Sequence, residues 1–161
     1  MRLLLITEKL DKNDESTGFF HGQIMDLIGY CNSMIVMVLE NRAHSLPESV
    51  KVISLGKERG VSRLGYIGNF YAGILGNIGN YDSVYVNREP QYIVLGGFIW
   101  KLFGKKIILY YNHRFSDWKL KVALFFVDEV VSPSAQGFPL KTKKLRVVPT
   151  ASLQEHVCPV E

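Results

Sequence analysis

The stretch that most constrains the fold is Lys106-Ile107-Ile108-Leu109-Tyr110-Tyr111-Asn112-His113. It opens on lysine, runs through five apolar or aromatic residues, and ends on an amide and an imidazole. A continuous apolar run of this kind, rich in β-branched and aromatic residues, predicts a strand buried on both faces of a parallel sheet. Ligands of open α/β sheets sit outside the carboxyl ends of the strands. His113 therefore stands where binding or chemistry is expected. It is equally well a polar loop residue that caps the strand.

The rest of the chain repeats the theme. Arg2–Thr7 predicts a first strand, followed by a polar loop from Glu8 to Ser16. Ser16 or Thr17 is a candidate N-cap for a helix through Phe19, Phe20, Ile24, Leu27 and Ile28, with Gly29 as its stop. Gly18 at that helix start would let a ligand approach the backbone amides. His21, within the first turn and a half, faces either the same cleft or solvent. Ser33–Leu39 predicts a second buried strand, and Val50–Leu55 alternates as an edge strand does. Leu64, Ile67, Tyr71, Ile74, Leu75 and Ile78 recur at helical spacing. Gly65, Gly68, Gly73 and Gly76 lie in the same segment, each costing about 1 kcal/mol relative to Ala, so packing must hold that helix.

Asp82–Asn87 predicts a further strand, and Pro90 the first residue of a helix to about Phe103. That helix is apolar nearly all round, which predicts deep burial. Phe115–Phe126 reads as a helix, Asp128–Ser132 as a strand, Pro133–Gln136 as a turn or helix start, and Lys143–Val148 as a last strand. Residues 150–161 show no clear period. The pattern is α/β: a three-layer α/β/α sandwich around a Rossmann-like, mostly parallel sheet of about seven strands. The strand order should reverse between the first strand and the one at 83–87. That gathers loops 8–18, 88–90, 112–117 and 132–135 at one end of the sheet.

Composition narrows the function classes. Two cysteines, Cys31 and Cys158, without a CxxC pair, suggest reduced thiols in a cytoplasmic protein. The N-terminal apolar run is too short for a signal peptide. Tyr92–Trp100 falls short of the roughly 20 residues that a membrane span needs. Residues 101–146 hold ten Lys or Arg against three acids, whereas residues 1–100 hold nine against ten. This basic half could face anionic lipid or a phosphorylated ligand, or be solvated helix faces. Basic and aromatic residues do not interleave on one surface as nucleic-acid binding requires. No GxGxxG or GxxxxGK[ST] occurs, and no clustered metal-ligand set is visible.

Three landmarks together resemble the N-terminal half of GT-B glycosyltransferases, the retaining group whose N-terminal domain is called glycosyltransferase subfamily-4-like. One is the strand, loop and Gly18-bearing helix start of residues 2–28, with a single glycine where the family commonly has two. Another is Asp82-x-Val-x-Val-Asn-Arg-Glu-Pro90, followed by a helix, Gly104-Lys105, a strand and His113. The third is Val127–Ser134 with Lys144–Thr150, similar to the strand and the proline exit that precede the family's second domain.

The resemblance covers residues 1 to about 150 and implies an acceptor-side domain, with residues 151–161 as a tail. The family's donor-binding domain would be absent and the isolated chain inactive. It implies sugar transfer from a nucleotide-sugar donor to a sugar or lipid-linked acceptor hydroxyl, without cofactor or metal. His113 would act at the acceptor or the transferred sugar, with Arg88, Glu89 and Asn112 binding the acceptor. Thr17 and Gly18 would contact the donor diphosphate, and His21, Ser132 and Ser134 are lesser candidates. A partner chain could supply the donor domain. The location would be cytoplasmic or peripheral to the cytoplasmic membrane. A reading of another class stays open: a non-catalytic α/β module that binds a partner chain or an anionic membrane surface.

Overall fold

Seven strands form one sheet in the computed structural model, which describes residues 1–15 and 17–159. They are β1 (Arg2–Leu10), β2 (Ser33–Asn41), β3 (Lys51–Ser54), β4 (Ser83–Asn87), β5 (Lys106–Tyr110), β6 (Glu129–Ser132) and β7 (Leu145–Val147). The order is β3-β2-β1-β4-β5-β6-β7, and every neighbouring pair is parallel. The order reverses between β1 and β4, as the sequence predicts, and β3 lies at an edge. β1 runs three residues past the predicted Thr7. Its extension comes from its partner, since Lys9 and Leu10 pair with Glu40 and Asn41 of β2.

Alternation along the strands feeds two cores, because successive side chains point to opposite faces. Leu3 and Leu5 point to the face covered by α1 (Gly18–Ile28). Leu4 and Ile6 point to the face covered by α2 (Arg63–Gly76), α3 (Gln91–Leu102) and α4 (Trp118–Phe126). The result is the three-layer sandwich. Of the glycines in α2, Gly73 has a visible packing duty: a Cβ there would fall 2.5 Å from Met37 Cε on β2. Gly104, at φ +67°, turns the chain out of α3 into β5.

Four sequence expectations are corrected. Helix α3 is not buried all round: Tyr92, Ile93, Gly96, Gly97 and Trp100 are buried, whereas Phe98 and Leu102 face outward. An outer-layer helix covers the sheet with one face only, whatever its composition. Helix α4 starts at Trp118, not Phe115, because the Asp117 carboxylate accepts from the Leu120 N–H at 2.9 Å and fixes the first turn there. The stretch without a clear period folds as well. A 3-10 turn at Thr150–Ser152 leads into a short helix, α5 (Leu153–Val157), whose Leu153 and Val157 join the core beside α1. Finally, Cys31 and Cys158 are not free thiols: they form a disulfide across 127 residues of sequence. Their pairing is invisible in the sequence because only the docking of α5 against α1 brings them together.

Candidate functional site

The strand-order reversal leaves a crevice between the carboxyl ends of β1 and β4. Its floor is a contact across the reversal: the Asn87 amide donates to the Thr7 hydroxyl at 3.3 Å, both residues being buried. Above it lies a cleft of about 440 Å³ lined by Thr7, Glu8, Lys9, Asp14, Thr17, Glu40, Lys57, Asn87, Arg88, Glu89 and His113. Four of the predicted candidates therefore meet in one place: Thr17, Arg88, Glu89 and His113.

Arg88 is held at φ +67°, the only described non-glycine residue with positive φ. Its N–H donates to the Tyr110 carbonyl of β5 at 2.8 Å, which fixes the turn. A non-glycine residue there stores roughly 1–2 kcal/mol. Its exposed guanidinium pairs with no carboxylate among the described residues, and its neighbour Glu89 bonds instead to the Gln91 amide. Glu89 is half-buried at the start of α3. Burial pushes its carboxyl up, the Gln91 bond pulls it back, and the Glu8 carboxylate pushes it further up. The other acids of the cleft are engaged. Asp14 holds Lys9, while Glu40 holds Arg42 and lies 3.5 Å from Lys57. Arg42 keeps the Glu40 carboxyl below its ordinary range.

His113 stands between this cleft and a second one. Its N–H donates to the Gly137 carbonyl at 2.9 Å, and its ring meets the Tyr111 ring edge-on at 5.5 Å. The second cleft, about 320 Å³, is lined by Asn112, His113, Arg114, Phe115, Ser134, Gln136 and Gly137. Gly137 is what draws its polar groups together. A Cβ there would fall 2.5 Å from Asn112 Oδ1 and 2.6 Å from Ser132 Oγ. The Ser134 hydroxyl accepts the Gly137 N–H at 3.1 Å, and the buried Ser132 hydroxyl has no hydrogen-bond partner among the described residues. Asn112, Ser132 and Ser134 thus gather on the far side of His113.

Gly18 and His21 lie elsewhere. The Gly18 N–H donates to the Asp14 carbonyl at 2.7 Å, and a Cβ there would fall 3.1 Å from the Lys12 carbonyl oxygen. The glycine thus lets its own loop close over the helix start. It lines a separate cleft with Phe19, Gln23 and Thr150. His21 is buried, and its Nε2 accepts the Ser45 N–H at 3.1 Å, tying loop 42–48 to α1. Burial keeps that imidazole below its ordinary pKa, with His44 and Lys12 adding to the effect. Ser16, the other candidate N-cap, lies outside the described residues; Thr17 occupies the cap position without a side-chain cap bond. Thr7, Glu8, Glu40, Lys57 and Asn87 went unselected in the sequence. Their only signal there is position at the carboxyl ends of strands.

The cleft mixes acids and bases, so this chain alone does not build a strongly cationic cradle for a diphosphate. Among the described residues, no three His, Cys, Asp or Glu side chains gather as a metal-ligand set. No helix among the described residues is long and apolar enough to cross a membrane.

No family model matches the sequence, and no curated protein matches it. Solved structures do match. Anabaena Alr3699/HepE in complex with UDP-glucose is 16% identical with a TM-score of 0.60, over 92% of this chain and 43% of that one. Its complex with UDP gives 15% and 0.58, over 93% and 44%. The UDP-GlcNAc 2-epimerase of Methanocaldococcus jannaschii gives 12% and 0.59, over 96% and 48%. The chain therefore spans less than half the length of these proteins. At such identities the likeness is one of fold: a single Rossmann-like domain, matching about half of a GT-B-type protein.

Proposed function

We propose that this chain is the acceptor-side half of a retaining glycosyltransferase that moves a sugar from a nucleotide-sugar donor to an acceptor hydroxyl. The observation that carries the reading is the meeting of Arg88, Glu89 and His113 at the strand-order reversal, where this class of sheet binds its ligands. Solved neighbours that hold UDP-glucose or UDP support a nucleotide-sugar context.

Within that reading each residue has a definite task. Glu89, whose carboxyl is raised by burial, can accept a hydrogen bond from the acceptor hydroxyl when ionised. His113 reaches the same space from β5 and can donate to, or accept from, the acceptor or the transferred sugar. Arg88 offers an unpaired guanidinium to an anionic group on the acceptor. Asn112 and Ser134 line the neighbouring cleft around Gly137, whose carbonyl accepts the His113 N–H, and Thr17 lines the main cleft beside β1. The donor diphosphate would be bound mainly by a second domain or chain, because the cleft here lacks surplus positive charge. Transfer demands donor and acceptor in register, and about 1 Å of misplacement can cost roughly a hundredfold in rate. The isolated chain is therefore expected to be silent.

A second reading is favoured by the epimerase neighbours, which are as similar as the first: the same cleft would serve a reaction on the UDP-sugar itself. One experiment separates the two. Nucleotide sugars are titrated into the chain, alone and mixed with a separately expressed donor-type domain, with an alcohol acceptor in deuterated water. Glycoside formation only on mixing, lost in His113→Ala, supports the transferase. Solvent deuterium in recovered UDP-sugar without glycoside supports the second reading. Tight binding or turnover by the chain alone would remove the half-enzyme idea.

A further inference from the structure

Not one Asp or Glu occurs in helices α2, α3 and α4, which carry Arg63, Lys101, Lys119 and Lys121. A helix layer in contact with water normally intersperses both signs. The opposite layer has the reverse sign: α1 and α5 carry Asp26 and Glu155 and no Lys or Arg.

The faces of the three helices follow from their buried residues and the 100° helical step. Phe70 and Ile74 of α2, Ile93 and Trp100 of α3, and Leu120 and Ala123 of α4 point inward. Outward positions are then held by Leu64, Phe98, Leu102, Trp118 and Phe125, with relative exposures of 82, 68, 71, 63 and 83%. The helices lie side by side. The Tyr71 hydroxyl of α2 donates to the Leu95 carbonyl of α3 at 2.9 Å, and Gly97 of α3 makes room for the Phe126 ring of α4. These apolar groups therefore share one outer surface. An apolar groove of about 560 Å³ opens between α2 and α3, with Arg63 and Lys119 among its lining residues.

We propose that this outer face docks on an anionic lipid surface. Its chemistry is that of an interfacial layer: aromatic and aliphatic side chains directed outward with cations beside them, the carboxylates at its margin being Asp117, which caps α4, and Asp128, which pairs with Lys101. Lys101 is bound to Asp128, whereas Arg63, Lys119 and Lys121 form no ion pair among the described residues. A protein interface would deplete lysine and add hydrogen-bonding partners across its rim. The structure also relocates the basic stretch noted in the sequence. Lys106 faces Glu129, Lys105 and Lys144 bond to backbone carbonyls, and Arg114, Lys141 and Lys143 lie in loops, so Lys119 and Lys121 are the cations of that stretch that the helix layer leaves without an ion pair among the described residues. The inference rests on that layer alone and survives the failure of the transferase reading.

The test is co-sedimentation with phosphatidylcholine vesicles, with and without phosphatidylglycerol, at low and high salt. The wild-type chain should sediment with the anionic vesicles and release as salt rises. Lys119→Gln/Lys121→Gln should weaken binding about fivefold per lysine, and Phe98→Ser/Phe125→Ser at least about tenfold. All four positions are partly or wholly exposed, so unchanged circular dichroism melts should confirm that both variants fold. Fluorescence gives a readout that needs no destabilising variant. Trp100 is buried and Trp118 exposed, so anionic vesicles should blue-shift an emission component that Trp118→Phe removes. Absence of binding, or equal binding to neutral vesicles, overturns the proposal. So does a wild-type chain that self-associates without lipid and is made monomeric by Phe98→Ser/Phe125→Ser.

Discussion

The two ends of the sheet use the same kinds of residue differently. At the amino end the charged groups answer one another. Arg2 meets Asp82 at 2.6 Å and the Gly79 carbonyl at 2.8 Å, and Lys101 holds Asp128, which accepts the Ile107 N–H at 2.8 Å. Glu129 takes both Lys106 and His156, and the Cys31–Cys158 bridge fastens α5 beside them. At the carboxyl end Lys9 holds Asp14 and Arg42 holds Glu40, but other groups are left with capacity. Among the described residues, Arg88 has no ion pair and sits in a left-handed turn, Glu89 is half-buried on one amide, and the Ser132 hydroxyl is buried without a partner. One end commits its polar groups to holding strands; the other leaves Arg88, Glu89 and Ser132 incompletely satisfied, at some expense of stability. Perturbed groups gathered in a cleft are how binding sites are recognised on physical grounds.

The largest expected effect is at the amino end. Opening the bridge with Cys31→Ser/Cys158→Ser frees a loop spanning 127 residues, which chain entropy values at about 4–5 kcal/mol. Urea unfolding of both forms measures it. An unchanged midpoint would show that α5 docks by packing alone and that the amino end is not the fastened one.

The next effect is at the carboxyl end and has the opposite sign. Arg88→Gly should raise stability by about 1 kcal/mol, because glycine adopts positive φ without the Cβ clash. Arg88→Ala should change little, since it keeps the strained backbone. If Arg88→Gly destabilises the chain, the turn is held for folding and the comparison between the two ends fails there.

A smaller effect separates the ends by pH. Burial raises the Glu89 carboxyl above its ordinary value of 4.5, so the folded state binds the proton more tightly than the unfolded chain. Stability linked to Glu89 is greatest below that value and falls as pH rises through the window up to the raised pKa. Glu89→Gln should flatten the profile in that window and make the chain more stable near neutrality. A steeper profile in the variant would mean that the carboxylate is better satisfied than its burial implies.

How much of this was legible in the sequence depends on how local the signal was. The runs at 33–39 and 106–111 announced buried parallel strands because both faces of each are covered. With the strand order in place, the carboxyl-end rule then drew Arg88, Glu89 and His113 to one crevice. Lys57 and Glu40 escaped notice because they reach the cleft from loop and strand-end positions that carry no pattern. The disulfide escaped because its partners are far apart in sequence, and α5 because five residues are too few for a helical period. The outward face of α3 was hidden by its composition. An all-round apolar helix gives no clue to which side lacks a neighbour.

The smallest effect tests whether the amino-end pairs do more than decorate. Arg2 pulls the Asp82 carboxyl below its ordinary value of 3.8, so the folded state binds that proton more weakly than the unfolded chain. The associated stability is present above 3.8 and lost as pH falls through the lowered pKa, the reverse of Glu89. Both partners are about half exposed, so water screens the pair and its contribution should be the least of the four. Asp82→Asn should therefore lower the unfolding midpoint slightly at neutral pH and low salt. The difference should vanish near 1 M salt, where the screening length is about 3 Å. The Glu89→Gln effect should persist there, because burial rather than a distant charge is its main cause. A salt-resistant loss in Asp82→Asn would instead assign its role to the Arg2 bridge onto the Gly79 carbonyl, which orders the turn before β4 without relying on net charge.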